Sequence, residues 1–275
     1  WPVTPAGSAS VHDLDKYRRP EPSRQRLLFF DVESAPMLAF LWDLKADYVN
    51  PDMVVQPPFL LTWAAKWHDD DEIIAARLTG KEAAQQDDRR IVAKLADLVR
   101  QADIVVAHNG DRFDLPKLNA RIAIHQLAPL GNVRSIDTLK KARSAFRFPS
   151  NRLGELAKAL GLDGKHHTGF DLWRRARSGD VPALKEMDAY CRQDVVVLEA
   201  VFEALRPHVK GLPRLVDAGE YGQKCCPSCG SAEIVPDGLY RTNANSYKRW
   251  RCEQCGRHCR SFRQADLPKL EMRPL

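Results

Sequence analysis

The sequence has no apolar run approaching the roughly 20 residues a membrane-spanning helix needs, so no membrane role is expected. Cysteine is almost absent outside one stretch: six of the seven fall between Cys225 and Cys259, and the other is Cys191. That distribution excludes a disulfide framework spread along the chain and points to clustered metal ligation. Apart from two paired Cys turns there is no internal repeat, and there is no low-complexity tract, which excludes a repeat solenoid. The opening WPVTPAGSAS lacks the apolar core of a signal peptide. Trp in place of Met at position 1 suggests a trimmed or incomplete N-terminus, and the expected location is the cytoplasm.

What is present is an ordinary soluble composition, 44% hydrophobic and 28% charged over 275 residues, enough for one large domain and a small one. The net charge of +6 suits an anionic partner without establishing one. The excess is concentrated: residues 221–275 hold ten Lys/Arg against five Asp/Glu, while the rest of the chain is nearly balanced. A zinc ion held by four thiolates would lower that local excess of about +5 to about +3.

Residues 1–25 are polar, contain Pro and show no apolar periodicity, as in an N-terminal arm. RLLFFDVE (26–33) reads as a buried strand, and PFLLTWAAKWH (58–68) and DEIIAARLT (71–79) as two more. A helix over 84–101 follows, with Ile91, Leu95, Leu98 and Val99 at helical spacing, then a strand over 102–110. Helices fit 115–126, 137–145, 151–161 and 181–206. This order predicts an α/β fold, a mixed sheet flanked by helices, over 26–210. Residues 211–224 read as a linker, and 225–275 as a small Cys-containing domain with a basic tail.

Three segments carry candidate chemistry. Asp31 and Glu33 alternate with Phe30 and Val32, so both leave one face at the end of an apolar strand. Carboxylates that close resist ionisation unless a cation lies between them, and a hard ion such as Mg²⁺ fits oxygen ligands. HNGDRFDLPKL (108–118) supplies Asp114, after a Phe113 expected to be buried. Asp111 sits in a Gly-containing turn where Asp is common for local reasons, and Asn109 reads as a brace for the loop and as a candidate nucleic-acid contact. AYCRQDVVVLEAVF (189–202) is helical, with Met187, Cys191, Leu198, Phe202 and Leu205 forming an apolar stripe that includes Asp194. A carboxylate on such a stripe needs a partner. Tyr190, four residues earlier, shares its face.

Strand acid pair, loop Asp and helical Tyr-x-x-x-Asp, in that order, resemble the DEDD (DnaQ-like) 3′→5′ exonuclease superfamily of the ribonuclease H-like fold. FDVES matches the first motif through Asp31 and Glu33. HNGDRFDLPKLNAR matches the second through Asp114, with Asn109 placed as in family B polymerase proofreading domains. YCRQD matches the third in its tyrosine form, since Ala189 stands where the histidine form has His. LLTWAAKW, NRLGELAKALGL, HHTGFDLW and the Cys-rich tail extend the likeness to ribonuclease H-like proteins of bacteriophages. The resemblance implies two Mg²⁺ or Mn²⁺ ions held by Asp31, Glu33, Asp114 and Asp194. Tyr190 would orient the attacking water, and the outcome would be phosphodiester hydrolysis from single-stranded or frayed 3′ ends, DNA more than RNA.

Some residues have a plainer reading beside the functional one. Asp137 could reach the metal cluster but suits a helix cap. Lys165, His166 and His167 could meet phosphate or be ordinary surface residues. Trp63, Trp67 and Trp173 read as core.

Cys226-Pro-Ser-Cys229-Gly and Cys252-Glu-Gln-Cys255-Gly are two CxxCG turns, the spacing of a structural zinc ribbon. Between them, Lys248, Arg249, Trp250 and Arg251 mix charge with an aromatic ring, as suits nucleic-acid contact; the alternative is a purely structural staple.

Overall fold

The computed structural model describes residues 25–43, 47–68, 70–162, 169–213, 225–261 and 263–265. Residues 1–24 of the expected arm, Lys165, His166 and His167, and residues 214–224 of the expected linker lie outside the described residues.

The apolar segment LLFFDVES forms β1 (Leu27–Ser34). A short hairpin follows, β2 (Leu38–Ala39) and β3 (Val54–Gln56), then β4 (Leu60–Trp67) and β5 (Ile73–Arg77). Next come α1 (Gly80–Gln85), α2 (Arg89–Gln101), β6 (Ile104–Ala107), α3 (Asp114–Ile124), β7 (Arg134–Asp137) and α4 (Thr138–Ala145). The helices α5 (Leu153–Ala159), α6 (Phe170–Arg177) and α7 (Val181–Leu205) complete this unit, which is built on Arg26–Pro213.

The strands join in the order β5-β4-β1-β6-β7. β1 is antiparallel to β4 and parallel to β6, and β6 is parallel to β7. The mixed, helix-flanked sheet expected from the sequence is therefore present. Its parallel members end at one edge, and carboxyl ends of parallel strands are where such sheets place ligand sites.

Both faces of β1 are covered, because its side chains alternate. Leu28, Phe30 and Val32 join a core with Ile91, Leu95 and Val99 of α2, where Trp63 Nε1 donates to the Ile91 carbonyl at 2.8 Å. On the opposite face Phe29 meets Phe202 of α7 edge-on, 5.4 Å between ring centroids.

The helix expected over 84–101 is two helices. Gln86 ends α1 in the left-handed region at φ 56°, and Asp88 then turns into the core. There Asp88 accepts hydrogen bonds from Leu60 N–H and the Arg121 guanidinium and pairs with His125. α6 is fixed by Arg177, whose guanidinium donates to the Pro36 carbonyl and Gln56 Oε1, both at 2.6 Å.

The C-terminal segment forms β8 (Ile234–Arg241), β9 (Ser246–Cys252) and β10 (His258–Arg260), an antiparallel sheet in the order β10-β9-β8. Among the described residues no helix is long and apolar enough to cross a membrane.

Candidate active site

Asp31 and Glu33 leave β1 on the face that α7 crosses. Cys191 of α7 lies with its Sγ 3.5 Å from Asp31 Oδ2, and Asp194, three residues on, reaches the same point from the buried stripe of the helix. Oxygens of Asp31, Glu33 and Asp194 all lie within 4.8 Å of one another. Asp31 and Glu33 are half-buried, and Asp194 is buried. The Cys191 thiol registers this charge: burial, then Asp31, Glu33 and Asp194, hold its pKa well above the ordinary thiol value. An all-oxygen donor set in a negative potential fits Mg²⁺ or Mn²⁺.

Asp114 opens α3 and lines the same cavity without belonging to that 4.8 Å group. Its carboxyl is buried, and Oδ1 accepts the backbone N–H of Val32, the residue between Asp31 and Glu33, at 3.1 Å. Burial pushes its pKa up to about 7, against the opposing pull of the Val32 N–H and the Lys117 ammonium. Phe113, expected to be buried, is 40% exposed instead. Lys117 explains its setting: Nζ lies 3.8 Å over the Phe113 ring and hydrogen-bonds Ser34 Oγ. A ring with a cation on one face can stay at the surface.

The loop before Asp114 is pinned from several sides. Asn109 is left-handed at φ 66°, and its N–H donates to Asp137 Oδ1 at 3.0 Å. Gly110 has no room for a side chain, since a Cβ there would stand 2.4 Å from that of Ala107. Asp137 caps α4 through the N–H groups of Leu139 and Lys140. Asp111 turns away to Ser135 and Lys140; partial burial works against its ionised form, but these hydrogen bonds leave its pKa below the ordinary value.

Trp173 was expected in the core, and it has a further role. Its Nε1 donates to Glu33 Oε2 at 3.1 Å, and its ring meets Tyr190 edge-on with centroids 5.9 Å apart. Tyr190 thus stands beside Glu33's partner. The one sequence signal for Trp173 was its place in HHTGFDLW. His108 also escaped notice: Nε2–H donates to the Asn151 carbonyl, and Nδ1 meets Thr138 Oγ1, both at 2.9 Å.

The acids open onto a cavity of about 680 Å³. Asp31, Glu33, Asp114 and Asp194 line it, and so do Arg143, Arg152 and Lys158. Residues 62–206 match the family described as the RNase_H superfamily. The chain belongs to the RNase_H superfamily. This RNase_H superfamily member has the mixed α/β, ribonuclease H-like fold, with the acid trio on β1 and α7. It is similar over 72 residues, at 40% identity, to a PolC-type DNA polymerase III of Ureaplasma parvum serovar 3. That stretch spans 25% of this chain and 5% of the polymerase. A family B DNA polymerase of the archaeon Pyrobaculum calidifontis aligns in structure over 69% of this chain and 26% of its own, at 21% identity and a TM-score of 0.48.

In the C-terminal segment Cys226, Cys229, Cys252 and Cys255 bring their sulfurs within 4.8 Å of one another. Gly230 and Gly256, which follow the two turns, have φ of 80° and 69°, where a side chain would be strained. The four-cysteine group fits a zinc ribbon, and Cys225 and Cys259 are not part of it. Strand alternation divides the basic stretch: Arg249 and Arg251 leave β9 on one face, Lys248 and Trp250 on the other. Arg249 is already engaged by Asp237 at 2.9 Å, while Arg260 stacks over Tyr247 at 4.0 Å.

Proposed function

We propose that this chain is a metal-dependent nuclease, a 3′→5′ exonuclease of the tyrosine DEDD branch acting on single-stranded or frayed 3′ ends, DNA more than RNA. The observation that carries the reading is the trio Asp31, Glu33 and Asp194, with oxygens within 4.8 Å, at a cleft that also carries arginines. The local similarity to a DNA polymerase supports DNA as substrate; polarity rests on the motif resemblance.

Asp31, Glu33 and Asp194 would hold Mg²⁺ or Mn²⁺, with Asp114 supporting a second ion from its place behind Val32. Ions held there would lower the pKa of bound water toward neutrality and offset charge on the departing 3′-oxygen. Trp173 keeps Glu33 oriented, and Tyr190 orients the attacking water. In this reading residues 26–210 are the catalytic domain, 1–25 an arm and 211–224 a linker in a cytoplasmic protein. Residues 225–275 form the zinc ribbon and tail, which adds nucleic-acid contacts through Lys248, Arg249, Trp250 and Arg251.

The test is incubation with 3′- and 5′-labelled single-stranded DNA and RNA, in Mg²⁺, Mn²⁺ or EDTA. Metal-dependent release of mononucleotides from the 3′ end is expected, with loss of turnover in Asp31→Asn and Asp194→Asn proteins that remain folded. Internal cuts would replace this reading with a structure-selective nuclease. Preferential turnover of RNA would make it RNA-directed, and binding without turnover would make the chain a nucleic-acid-binding adaptor.

A further inference from the structure

The cleft carries two cations that the acid cluster does not use. Arg143 lies in the last turn of α4, and Arg152 immediately precedes α5. Both line the same cavity as Asp31, Glu33 and Asp194. Neither has a carboxylate within ion-pair distance among the described residues. Some arginines of this unit find acids, as Arg90 does with Glu82 and Arg121 with Asp88, and others, such as Arg77 and Arg177, are held by carbonyls. What distinguishes Arg143 and Arg152 is that they share a cavity with the acids. The third cation of the wall, Lys158, is paired with Glu155 at 3.0 Å.

Arg143 and Arg152 are exposed, line the cavity that Asp31, Glu33 and Asp194 also line, and are placed there by their backbone segments. His108 supplies the hold. It reaches Thr138 at the start of α4 and the Asn151 carbonyl just before Arg152, both at 2.9 Å. One imidazole at the end of β6 therefore sets both arginine-bearing segments against the strand edge that delivers Asp31 and Glu33. A solvated arginine without an acid partner is ordinary alone; two in one acid-lined cavity, on segments tied by the same imidazole, suit an anion that enters it.

We propose that Arg143 and Arg152 form a phosphate clamp for a phosphodiester of the bound strand next to the one held at the acids. The ligand class is a single-stranded polynucleotide at least two nucleotides long. A guanidinium fork matches two phosphate oxygens at once, which a lysine cannot do. The clamp rests on the nuclease reading for what the acids do, but it is a binding site and can be tested without turnover.

Binding of a 3′-fluorescein single-stranded DNA is measured by anisotropy in Ca²⁺ over a range of salt, for wild type, Arg143→Gln, Arg152→Gln and the double variant. Arg100→Gln, at a surface pair with Asp97, is the control. For a single strand each lost phosphate contact lowers the slope of log affinity against log salt by about 0.7, so the double variant should lose about 1.4. Its affinity should fall about tenfold or more, and Arg→Lys variants should recover part of that while keeping the slope. A double variant with wild-type affinity and slope, or a fall matched by Arg100→Gln, overturns the clamp. If wild type binds with the clamp's salt signature yet never cleaves in Mg²⁺ or Mn²⁺, the clamp stands and the nuclease reading fails. If wild type cleaves and the double variant binds unchanged, the reverse holds.

Discussion

Trp173 donates its indole N–H to Glu33 at 3.1 Å, across 140 residues of sequence, and packs its ring against Tyr190. A group that orients a metal-binding carboxylate is worth about 10–100-fold in metal affinity or rate. Trp173→Phe keeps the aromatic packing and removes the donor. The Mn²⁺ concentration giving half-maximal activity should rise by that factor, with near-normal rates at saturating Mn²⁺. An unchanged Mn²⁺ dependence would mean that Glu33 is held by other groups.

Asp114 links stability to pH. In the folded protein its pKa is pushed up to about 7, whereas the unfolded chain loses that proton near the ordinary carboxylate value of 3.8. Between these values the folded state binds more protons. The metal-free protein should therefore lose stability as pH rises from about 4 to about 7, and no more from this group above that. Asp114→Asn keeps an acceptor for Val32 N–H and cannot ionise. In EDTA its stability relative to wild type should grow over this window by on the order of 2–4 kcal/mol. A constant difference between pH 4 and pH 8, read by thermal melts, would place the raised pKa elsewhere.

Zinc should be stoichiometric with the chain and lost with its ligands. Wild type should carry one zinc per chain by elemental analysis. Cys252→Ser should lose most of it, since Cys252 is fully buried within the four-sulfur group. Full retention of zinc in Cys252→Ser would show that the set is different. Cys225→Ser should keep the metal, because that sulfur is outside the group.

Asp88 is the stability test distant from the chemistry. It is fully buried and joins the Leu60 N–H, Arg121 and His125. Asp88→Asn leaves the nearly buried Arg121 without a counter-charge, at a cost of about 3–5 kcal/mol. Urea unfolding should show a midpoint shift of that size; a loss below about 1 kcal/mol would mean that water or His125 compensates.

The readable parts of the sequence were those written in local periods. Alternation along a strand put Asp31 and Glu33 on one face, and helical spacing put Asp194 on the stripe with Cys191. The CxxCG turns group sulfurs within a few residues, so the four-cysteine cluster was legible too. The helix break at Gln86 was not, because its cause is the burial of Asp88 against α3, a contact with no local signature. Phe113 differs for another reason: a cation four residues on in α3, Lys117, covers one face of its ring and lets it remain exposed, whereas its apolar character alone predicts burial. The stretch Lys248–Arg251 looked like one patch, yet strand geometry sends its members to opposite faces.

The sequence alone thus determined which residues carry charge and which face of each element they occupy, since backbone periodicity is local. Only the tertiary structure decided which faces meet. It brought Asp194 to the β1 acids and set Asp114 on the Val32 amide between them. It set Trp173 on Glu33 and placed Arg143 and Arg152, which have no acid partner among the described residues, in the same cavity as the acids. Those relations depend on how α6 and α7 fold back over the sheet and on where His108 ties the β6 edge. They join residues too far apart in the chain for any local period to record.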